Sequence, residues 1–404
     1  SAQPTNVEYL APNERSGHEI DLQVAIDAGV EIESFTSSSH AIDVQRDGDT
    51  KLKVSLKPND RIPNKDFVFR YKVAGKKMKT AFLYHEDKHG KTFSVVLVPP
   101  AKLTDVPVQP REMIFVVDCS GSMSGRPMAT AKDAMRRCLR NLDPRDSFQI
   151  IRFSESAFKF GRAPVPASKK NVRAGLDYID KFQGTGGTMM IEGIKAALDM
   201  PHDKEKLRIV SFMTDGYIGN EAQIIAAIRK KLGSARIFSF GVGNSVNRYL
   251  IEAMAREGRG AAAYVGLDEG SAKAVDAFYA RAKHAALVDV KIDWSGMGVK
   301  DVFPKRIPDL LVGRPVVITG RCRYTGKLPQ TIKVNGMMAG AQNSYEMNVA
   351  GSSAKNDGVR FVWARSKMAE LAIANIHKPS KELTDEMIRF STEQNVLCEY
   401  TAFL

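Results

Sequence analysis

One carboxylate and two hydroxyls follow a short apolar run in this chain. Residues Met113 to Ser124 read M-I-F-V-V-D-C-S-G-S-M-S, which places Asp118, Ser120 and Ser122 at alternating positions. A short, fully apolar run is typical of a central strand that is buried on both faces. Oxygen ligands on a tight loop suit Mg²⁺, Ca²⁺ or Mn²⁺ better than Zn²⁺ or copper. The spacing therefore predicts a hard-cation site at the end of a strand.

Two later segments supply further oxygens. The run G-T-G-G-T, beginning at Gly184, is a flexible loop that places Thr188 at the start of a helically periodic segment. Leu207–Met213 is another apolar strand, and Asp215 follows directly after Thr214. The carboxyl ends of the strands of an open parallel sheet lie along one edge, where ligands bind. We therefore expect these later residues to join the first loop at that edge.

This order of motifs, D-x-S-x-S, then Thr, then Asp, resembles the metal-ion-dependent adhesion site of the von Willebrand factor A domain. The pattern carries over without a gap onto Asp118, Ser120, Ser122, Thr188 and Asp215. Mg²⁺ takes six oxygens, so a site with few anionic ligands keeps an exchangeable position that a carboxylate can fill. The resemblance implies Mg²⁺, with Mn²⁺ or Ca²⁺ as alternatives, serines that touch the metal, and a partner protein that presents a Glu or Asp carboxylate.

The elements around these motifs alternate between strand and helix from Val108 to about Ala285. Helical spacing is visible from Met128 to Leu142, and Phe148–Phe153 and Ile237–Val242 read as further strands. Such alternation predicts a parallel sheet covered by helices on both faces. The fold class predicted for 108–286 is therefore α/β, with a doubly wound, mostly parallel sheet.

The flanks of this region have a different pattern. Apolar residues alternate with polar ones from Ile20 to Ile26 and from Leu52 to Leu56, which predicts a β-sandwich segment over 1–107. Residues 287–404 read as a β-rich segment with two helices, near Val359–Ala374 and Lys381–Thr392. We expect the two flanks to pack together as a composite β-sandwich into which the α/β domain is inserted.

Further segments, in the flanks and in the α/β region itself, extend the resemblance to inter-alpha-trypsin inhibitor heavy-chain-like proteins, in their bacterial branch. The segments that carry it are Gly17–Val30, Phe212–Glu221, Gly241–Leu250, Leu311–Gly320 and the closing Tyr400-Thr401. The resemblance implies an exported protein, located outside the cell, in the periplasm or at the cell surface. It also suggests that an upstream domain is missing or shortened before Ser1.

Charge and cysteine content restrict the function classes. The net charge is +13, and basic residues cluster on three predicted helices or their flanks. The clusters are Arg136, Arg137 and Arg140; Lys169, Lys170 and Arg173; and Arg229, Lys230 and Lys231. They indicate either solvated helix faces or attraction to an acidic partner or polyanionic surface. Since no nucleic-acid-binding motif and no apolar stretch of about 18 residues occurs, we predict neither a nucleic-acid partner nor a transmembrane span.

The four cysteines have no C-x-x-C spacing, which argues against a zinc ribbon. Cys119 and Cys138 are predicted to be buried free thiols. A bond between Cys322 and Cys398 stays open.

Three functions are compatible with these features. The first is a divalent-metal-dependent, adhesion-type protein-binding module, with partner choice set by the loops Ser124-Gly125-Arg126, Tyr217-Ile218 and Gly243–Asn247. The second is an intracellular assembly subunit for an ATPase partner. The third, a Mg²⁺-dependent hydrolase with Asp118 as nucleophile, is disfavoured because Ser120 stands where such enzymes carry a second acid. We therefore predict that the chain is not an enzyme.

Overall fold

The computed structural model describes most of the chain. The described residues are 17, 19–62, 65–73, 75–101, 110–216, 219–243, 246–265, 276, 285–323, 328–349 and 356–402.

Among the described residues, seven strands precede the α/β part of the chain. They are β1 (Gln23–Asp27), β2 (Ser34–Ser37), β3 (Ile42–Asp47), β4 (Lys51–Leu56), β5 (Phe69–Lys72), β6 (Lys79–Asp87) and β7 (Gly90–Val98). An antiparallel sheet has the order β1-β4-β3, and β2 pairs with β5. The strand predicted at 52–56 is confirmed as β4. β1 begins at Gln23 rather than at Ile20, because the Ile20 amide donates to the Arg61 carbonyl and not to a strand of this sheet.

The middle of the chain alternates between strand and helix as predicted. Its elements are β8 (Arg111–Asp118), α1 (Arg126–Arg140), β9 (Ser147–Phe153), β10 (Ala157–Lys159), β11 (Val165–Pro166), α2 (Lys169–Asp180), α3 (Met190–Leu198), β12 (Leu207–Thr214), α4 (Glu221–Lys231), β13 (Arg236–Val242), α5 (Arg248–Glu257) and β14 (Arg259–Val265). The sheet order is β10-β9-β8-β12-β13-β14, parallel from β9 to β14, while β10 and β11 pair antiparallel with β9. The predicted fold class is confirmed.

Burial explains why this sheet forms at the apolar runs. All eight residues of β8 and all seven of β13 are buried, as expected for strands covered on both faces. Helices α1 and α2 contribute to the core on one face, and α3, α4 and α5 to the core on the other. Helix α3 approaches the sheet closely at Gly193, where a Cβ atom would lie 2.8 Å from the ring of Phe153. A larger residue there would push the helix away from β9.

The described residues from 285 onward add six strands and two helices. They are β15 (Ala285–Asp293), β16 (Val299–Phe303), β17 (Leu310–Leu311), β18 (Val316–Cys322), β19 (Thr331–Met338), β20 (Ala341–Asn348), α6 (Asp357–His377) and α7 (Lys381–Gln394). Two four-stranded sheets result, in the orders β17-β15-β19-β20 and β16-β18-β7-β6. The second sheet contains strands from both flanks, since β7 pairs with β18 from Leu97 opposite Val316 to Lys91 opposite Cys322.

We call these two sheets the platform, because they share one core. Phe93 and Val95 from β7 meet Ile318 from β18 and Leu287 and Val334 from the facing sheet. On its other face, the sheet containing β7 is covered in part by the N-terminal sheet and in part by α6. Because β15 begins at Ala285, we propose that the boundary expected at 286/287 lies before this strand. The boundary expected at 107/108 falls outside the described residues.

The α/β domain meets the platform at the amino ends of its strands. Arg236, the first residue of β13, is 2% exposed and donates hydrogen bonds to Asp309, which is also 2% exposed. The Arg236 guanidinium also reaches Asp289 of β15 at 3.0 Å, and Arg314 donates to the Gly260 carbonyl at 2.8 Å. We call this set of contacts the joint. The central pair, Arg236 and Asp309, is buried but hydrogen-bonded, so it favours one orientation of the domain against the platform.

None of the four cysteines forms a disulfide bond in this fold. All four cysteines are free, and Cys119, Cys138 and Cys322 are buried, as predicted for the first two. Cys322 lies in the platform core and Cys398 beside the core of the two last helices. Within the described part of the chain, no helix combines the length and apolar character needed to span a membrane.

The joint can be tested by removing its cation. Arg236→Met leaves the Asp309 carboxylate buried without its partner, and we expect the free energy of unfolding to fall by about 3–5 kcal/mol. Arg145→Met is the matched control, because the Arg145 side chain that pairs with Asp143 is solvent-exposed and such a pair contributes little to stability. Urea unfolding of both variants measures the difference. Equal losses would show that the joint does not depend on the buried pair.

Candidate metal centre

Asp118 occupies the carboxyl end of β8 and is 0% exposed. Its two carboxylate oxygens accept different hydrogen bonds. One accepts the Ser120 amide at 2.9 Å, and the other accepts the Thr214 hydroxyl at 2.7 Å. Each oxygen retains a further lone pair, so the fixed carboxylate can still accept from water or contact a cation.

Thr214 connects the ends of two neighbouring strands. Its hydroxyl donates to Asp118 on β8 and accepts the Gly216 amide at 2.9 Å, which holds the turn that follows β12. Gly216 has φ +75°, a left-handed conformation that suits glycine. Asp215, between these residues, is 8% exposed, and its carbonyl accepts the Asn247 amide at 3.1 Å. The two aspartates therefore stand at the same edge of the sheet.

Ser120 and Ser122 project their hydroxyls toward each other. Their Oγ atoms are 3.2 Å apart, across a short 3-10 turn that spans Gly121–Met123. Two oxygens bound at right angles to one Mg²⁺ at about 2.1 Å would be about 3.0 Å apart. Ser120 is buried and Ser122 is exposed. The pair is thus spaced for a single small cation that approaches from solvent.

The loop that carries Thr188 is held against the serine turn by its backbone. The Thr185 amide donates to the Cys119 carbonyl at 2.7 Å, and the Gly121 amide donates to the Gly186 carbonyl at 3.0 Å. Gly184 allows this approach, because a Cβ atom there would lie 2.6 Å from the Ser124 amide nitrogen. Thr188 itself is half-buried, two residues before α3.

The electrostatics of the edge favour a cation. Burial raises the pKa of the Asp118 carboxyl, and the nearby Asp215 charge adds to this, against the lowering effect of the hydrogen bonds from Ser120 and Thr214. Burial raises the pKa of Cys119 to about 12, so this cysteine is a neutral thiol and a poor metal ligand. Among the described residues, no group of three or more His, Cys, Asp or Glu side chains is placed to hold a metal. A metal at this edge must therefore take hydroxyl ligands, and such a donor set fits a hard cation.

Two residues at this edge were not predicted. Thr214 directly precedes Asp215, and a hydroxyl at the end of an apolar strand is a signal that could have identified it. Glu155 is exposed and lies against the Thr188 loop, with its Cγ 3.5 Å from a Cβ built on Gly187. No local pattern marks that glutamate. Of the loops expected to shape partner choice, 124–126 is described, while 217–218 and 244–245 lie outside the described residues.

A twisted parallel sheet with helices on both faces and this polar edge defines a class of ligand-binding α/β domain. Residues 111–264 match the family model described as the von Willebrand factor type A domain. This part of the chain is a von Willebrand factor type A domain. A von Willebrand factor type A structure from Catenulispora acidiphila is similar in fold, with a TM-score of 0.53 and 15% identity over 80% of this chain and 88% of that one.

Curated relatives match a larger share of the chain. A von Willebrand factor A domain-containing protein of Dictyostelium discoideum is 28% identical over 76% of this chain and 15% of its own length. The human inter-alpha-trypsin inhibitor heavy chain H4 is 28% identical over 63% of this chain and 29% of its own length. The mouse heavy chain 4 is 27% identical over 72% of this chain and 32% of its own length. The chain thus spans less than a third of the length of these relatives.

The relatives support the predicted resemblance and a general role. Domains of this family generally mediate protein–protein interaction and commonly bind a divalent metal. Homologues are generally non-enzymatic and are often extracellular or surface-associated.

The hydrogen bond between Thr214 and Asp118 can be tested without a metal. Thr214→Val removes a donor to a buried carboxylate, and we expect the free energy of unfolding in chelator to fall by about 1–3 kcal/mol. Thr214→Ser keeps the hydroxyl and serves as the control, with a smaller loss. Urea unfolding measures both. If Thr214→Val costs no more than Thr214→Ser, which loses only the methyl group, the hydrogen bond to Asp118 does not contribute measurably to stability.

Proposed function

We propose that the α/β domain is a metal-dependent protein-binding module. Its site would hold Mg²⁺, with Mn²⁺ or Ca²⁺ as alternatives, through Asp118, Ser120, Ser122, Thr188 and Asp215. The 3.2 Å separation of the two serine hydroxyls, beside a buried and hydrogen-bonded Asp118, is the observation that carries this proposal.

The charge balance of the ligands supports binding rather than permanent sequestration. The three hydroxyls are neutral, and the two aspartates at most balance the dication, so the bound ion keeps an affinity for anionic oxygen. When bound, the cation supplies an electrophilic centre for a Glu or Asp carboxylate of the partner. The exposure of Ser122 supports access of a partner carboxylate from solvent.

The same residues support a non-enzymatic role. Asp118 is buried, and both of its oxygens accept protein hydrogen bonds, which lowers its value as a nucleophile. We place the protein outside the cell, in the periplasm or at the cell surface, because its flanks are similar to the inter-alpha-trypsin inhibitor heavy chains. An intracellular assembly subunit for an ATPase is the runner-up function, and no contact in the described residues favours it.

Removal of one hydroxyl tests the metal site. Ser122→Ala changes an exposed side chain, so the fold is retained while one proposed ligand is lost. We expect the affinity for Mg²⁺ and Mn²⁺ to fall at least about tenfold, a loss typical even of residues that only orient a ligand. Titration calorimetry measures the affinity. Ser124→Ala is the control, because the Ser124 hydroxyl donates to the Gly184 carbonyl and is not a proposed ligand.

Two results would count against the metal site. One is equal metal affinity in the Ser122→Ala and Ser124→Ala variants. The other is a folded wild-type protein that binds neither ion. In either case the contacts of the domain with partners would have to lie elsewhere.

The carboxylate of the partner requires a separate test. A peptide with a single central Glu should bind the Mg²⁺-loaded protein and lose binding in chelator, because only the carboxylate offers an anionic oxygen to the ion. The same peptide with Gln at that position is the control. Equal binding of the Glu and Gln peptides would exclude carboxylate ligation even if the metal itself binds.

A further inference from the structure

The basic clusters visible in the sequence are partly neutralised by neighbouring acids. Arg136 pairs with both Asp133 and Asp180, and Arg137 pairs with Asp276. Two other clusters show the same compensation, since Arg173 lies 3.9 Å from Asp177 and Lys231 lies 2.6 Å from Asp199. These helix faces are therefore weaker anion-binding surfaces than their sequence suggests.

A second group of cations comes together only in the fold. Lys300 on β16 lies directly opposite Arg321 on β18, so both side chains project from the same face of the platform. Lys367 on α6 and Arg323, just after β18, complete the group. We call these four residues the platform cation cluster. In the described part of the chain, none of the four forms an ion pair with a carboxylate, in contrast to the helix clusters.

Aromatic rings hold two of these cations in place. The Arg321 guanidinium lies 5.1 Å from the centroid of the Trp363 ring. The Lys367 ammonium lies 5.9 Å from the same ring and 4.8 Å from that of Phe390. Trp363 is fixed in turn, because its indole nitrogen donates to the Asp301 carbonyl at 3.1 Å. The Arg321 guanidinium also donates to the His89 carbonyl, so these two charges are oriented by ring contacts and a backbone acceptor and not by counter-ions.

The cluster is crowded enough for its charges to repel one another. The pKa of Lys300 is lowered, first by burial and then by the charges of Arg323, Arg321 and Lys367, while Asp301 opposes this only in part. The nearby Asp301 charge therefore offsets the mutual repulsion of these cations only in part.

A threonine on the neighbouring strand lies next to Arg321 of the platform cation cluster. Thr92 on β7 lies directly opposite Arg321 and is 3% exposed. Its Oγ atom is buried and has no hydrogen-bond partner among the described residues. Guanidinium, ammonium and hydroxyl donors side by side are the groups that recognise tetrahedral oxyanions.

We propose that Lys300, Arg321, Arg323 and Lys367 form a binding site for a phosphate or sulfate group on the face of the platform beneath α6. The site goes beyond the metal-dependent function and does not use the metal edge. The group can be a free ion or part of a larger anionic molecule, since the cluster recognises the oxyanion itself.

Titration of the wild-type chain with inorganic phosphate, and separately with sulfate, tests the site. The titrations are run in chelator and at constant ionic strength, so that metal binding and general screening do not contribute. Calorimetry should show saturable binding, and the tryptophan fluorescence, to which Trp363 contributes together with Trp294, should change with the same midpoint. We expect Lys300→Gln and Lys367→Gln each to weaken binding about tenfold, the equivalent of about 1.4 kcal/mol for one lost charge contact.

Lys231→Gln is the matched control, because it removes one positive charge from a helix of the α/β domain and should leave the affinity unchanged. A sulfated oligosaccharide and a short polyphosphate form a second arm of the titration. If these bind and the free ions do not, with the same sensitivity to Lys300→Gln, the oxyanion belongs to a polymer. The proposal is overturned if no probe binds, or if Lys300→Gln and Lys231→Gln change the affinity equally.

Discussion

The pairing of β7 with β18 is the constraint on which the rest of the architecture depends. It joins residues 91–97 to 316–322, on either side of the whole α/β domain, in one antiparallel ladder. Such a long connection closes at an entropic cost that grows only slowly with loop length. The ladder also places Phe93 and Ile318 on one face, where they bury apolar area against β15 and β19. Without this register neither flank could complete the platform core.

This closure also determines which edge of the α/β domain is available. Both ends of the domain return to the platform, and the joint at Arg236 and Asp309 holds the amino ends of the strands against it. The carboxyl ends, with Asp118 and Thr214, point the other way. Eight residues of strand span about 26 Å. The polar edge is therefore presented to solvent at a strand's length from the joint.

Local signals explain what the sequence could predict. The apolar runs of β8 and β12 are buried on both faces, so composition alone indicates them, and the oxygens that follow mark the edge of the sheet. Thr214 was not predicted because it acts through a hydrogen bond to Asp118 on the neighbouring strand β8. Its position directly before Asp215 is nevertheless evident in the sequence. β16 and β20 were missed because they are partly exposed strands without a clear apolar alternation. Partial burial weakens the pattern on which such predictions depend.

The basic residues show even more clearly that local sequence does not reveal contacts that form only in the fold. Runs such as Arg229, Lys230 and Lys231 are conspicuous in the sequence, yet their effect depends on acids that approach from other elements, as Asp199 and Glu257 do. Lys300 and Lys367 are inconspicuous because they are distant in sequence and become neighbours only when α6 packs on the platform. The sum of charges thus reports little about where an anion would bind. Whether a cation can bind an anionic ligand depends on whether that cation is already paired with an acid in the folded structure.

The positions of the metal edge and the platform cation cluster have a consequence for partners. Both would attract anionic oxygen, but the metal edge lies at the carboxyl ends of the α/β strands, about 26 Å from the amino ends that contact the platform. The Debye length at physiological salt is about 8 Å, which is much shorter than that separation. The charge of a ligand at one site is therefore screened from the other, so electrostatics alone cannot couple them. Any coupling would have to pass through the strands and the joint, where the buried pair of Arg236 and Asp309 resists displacement because separating its charges would leave both unpaired.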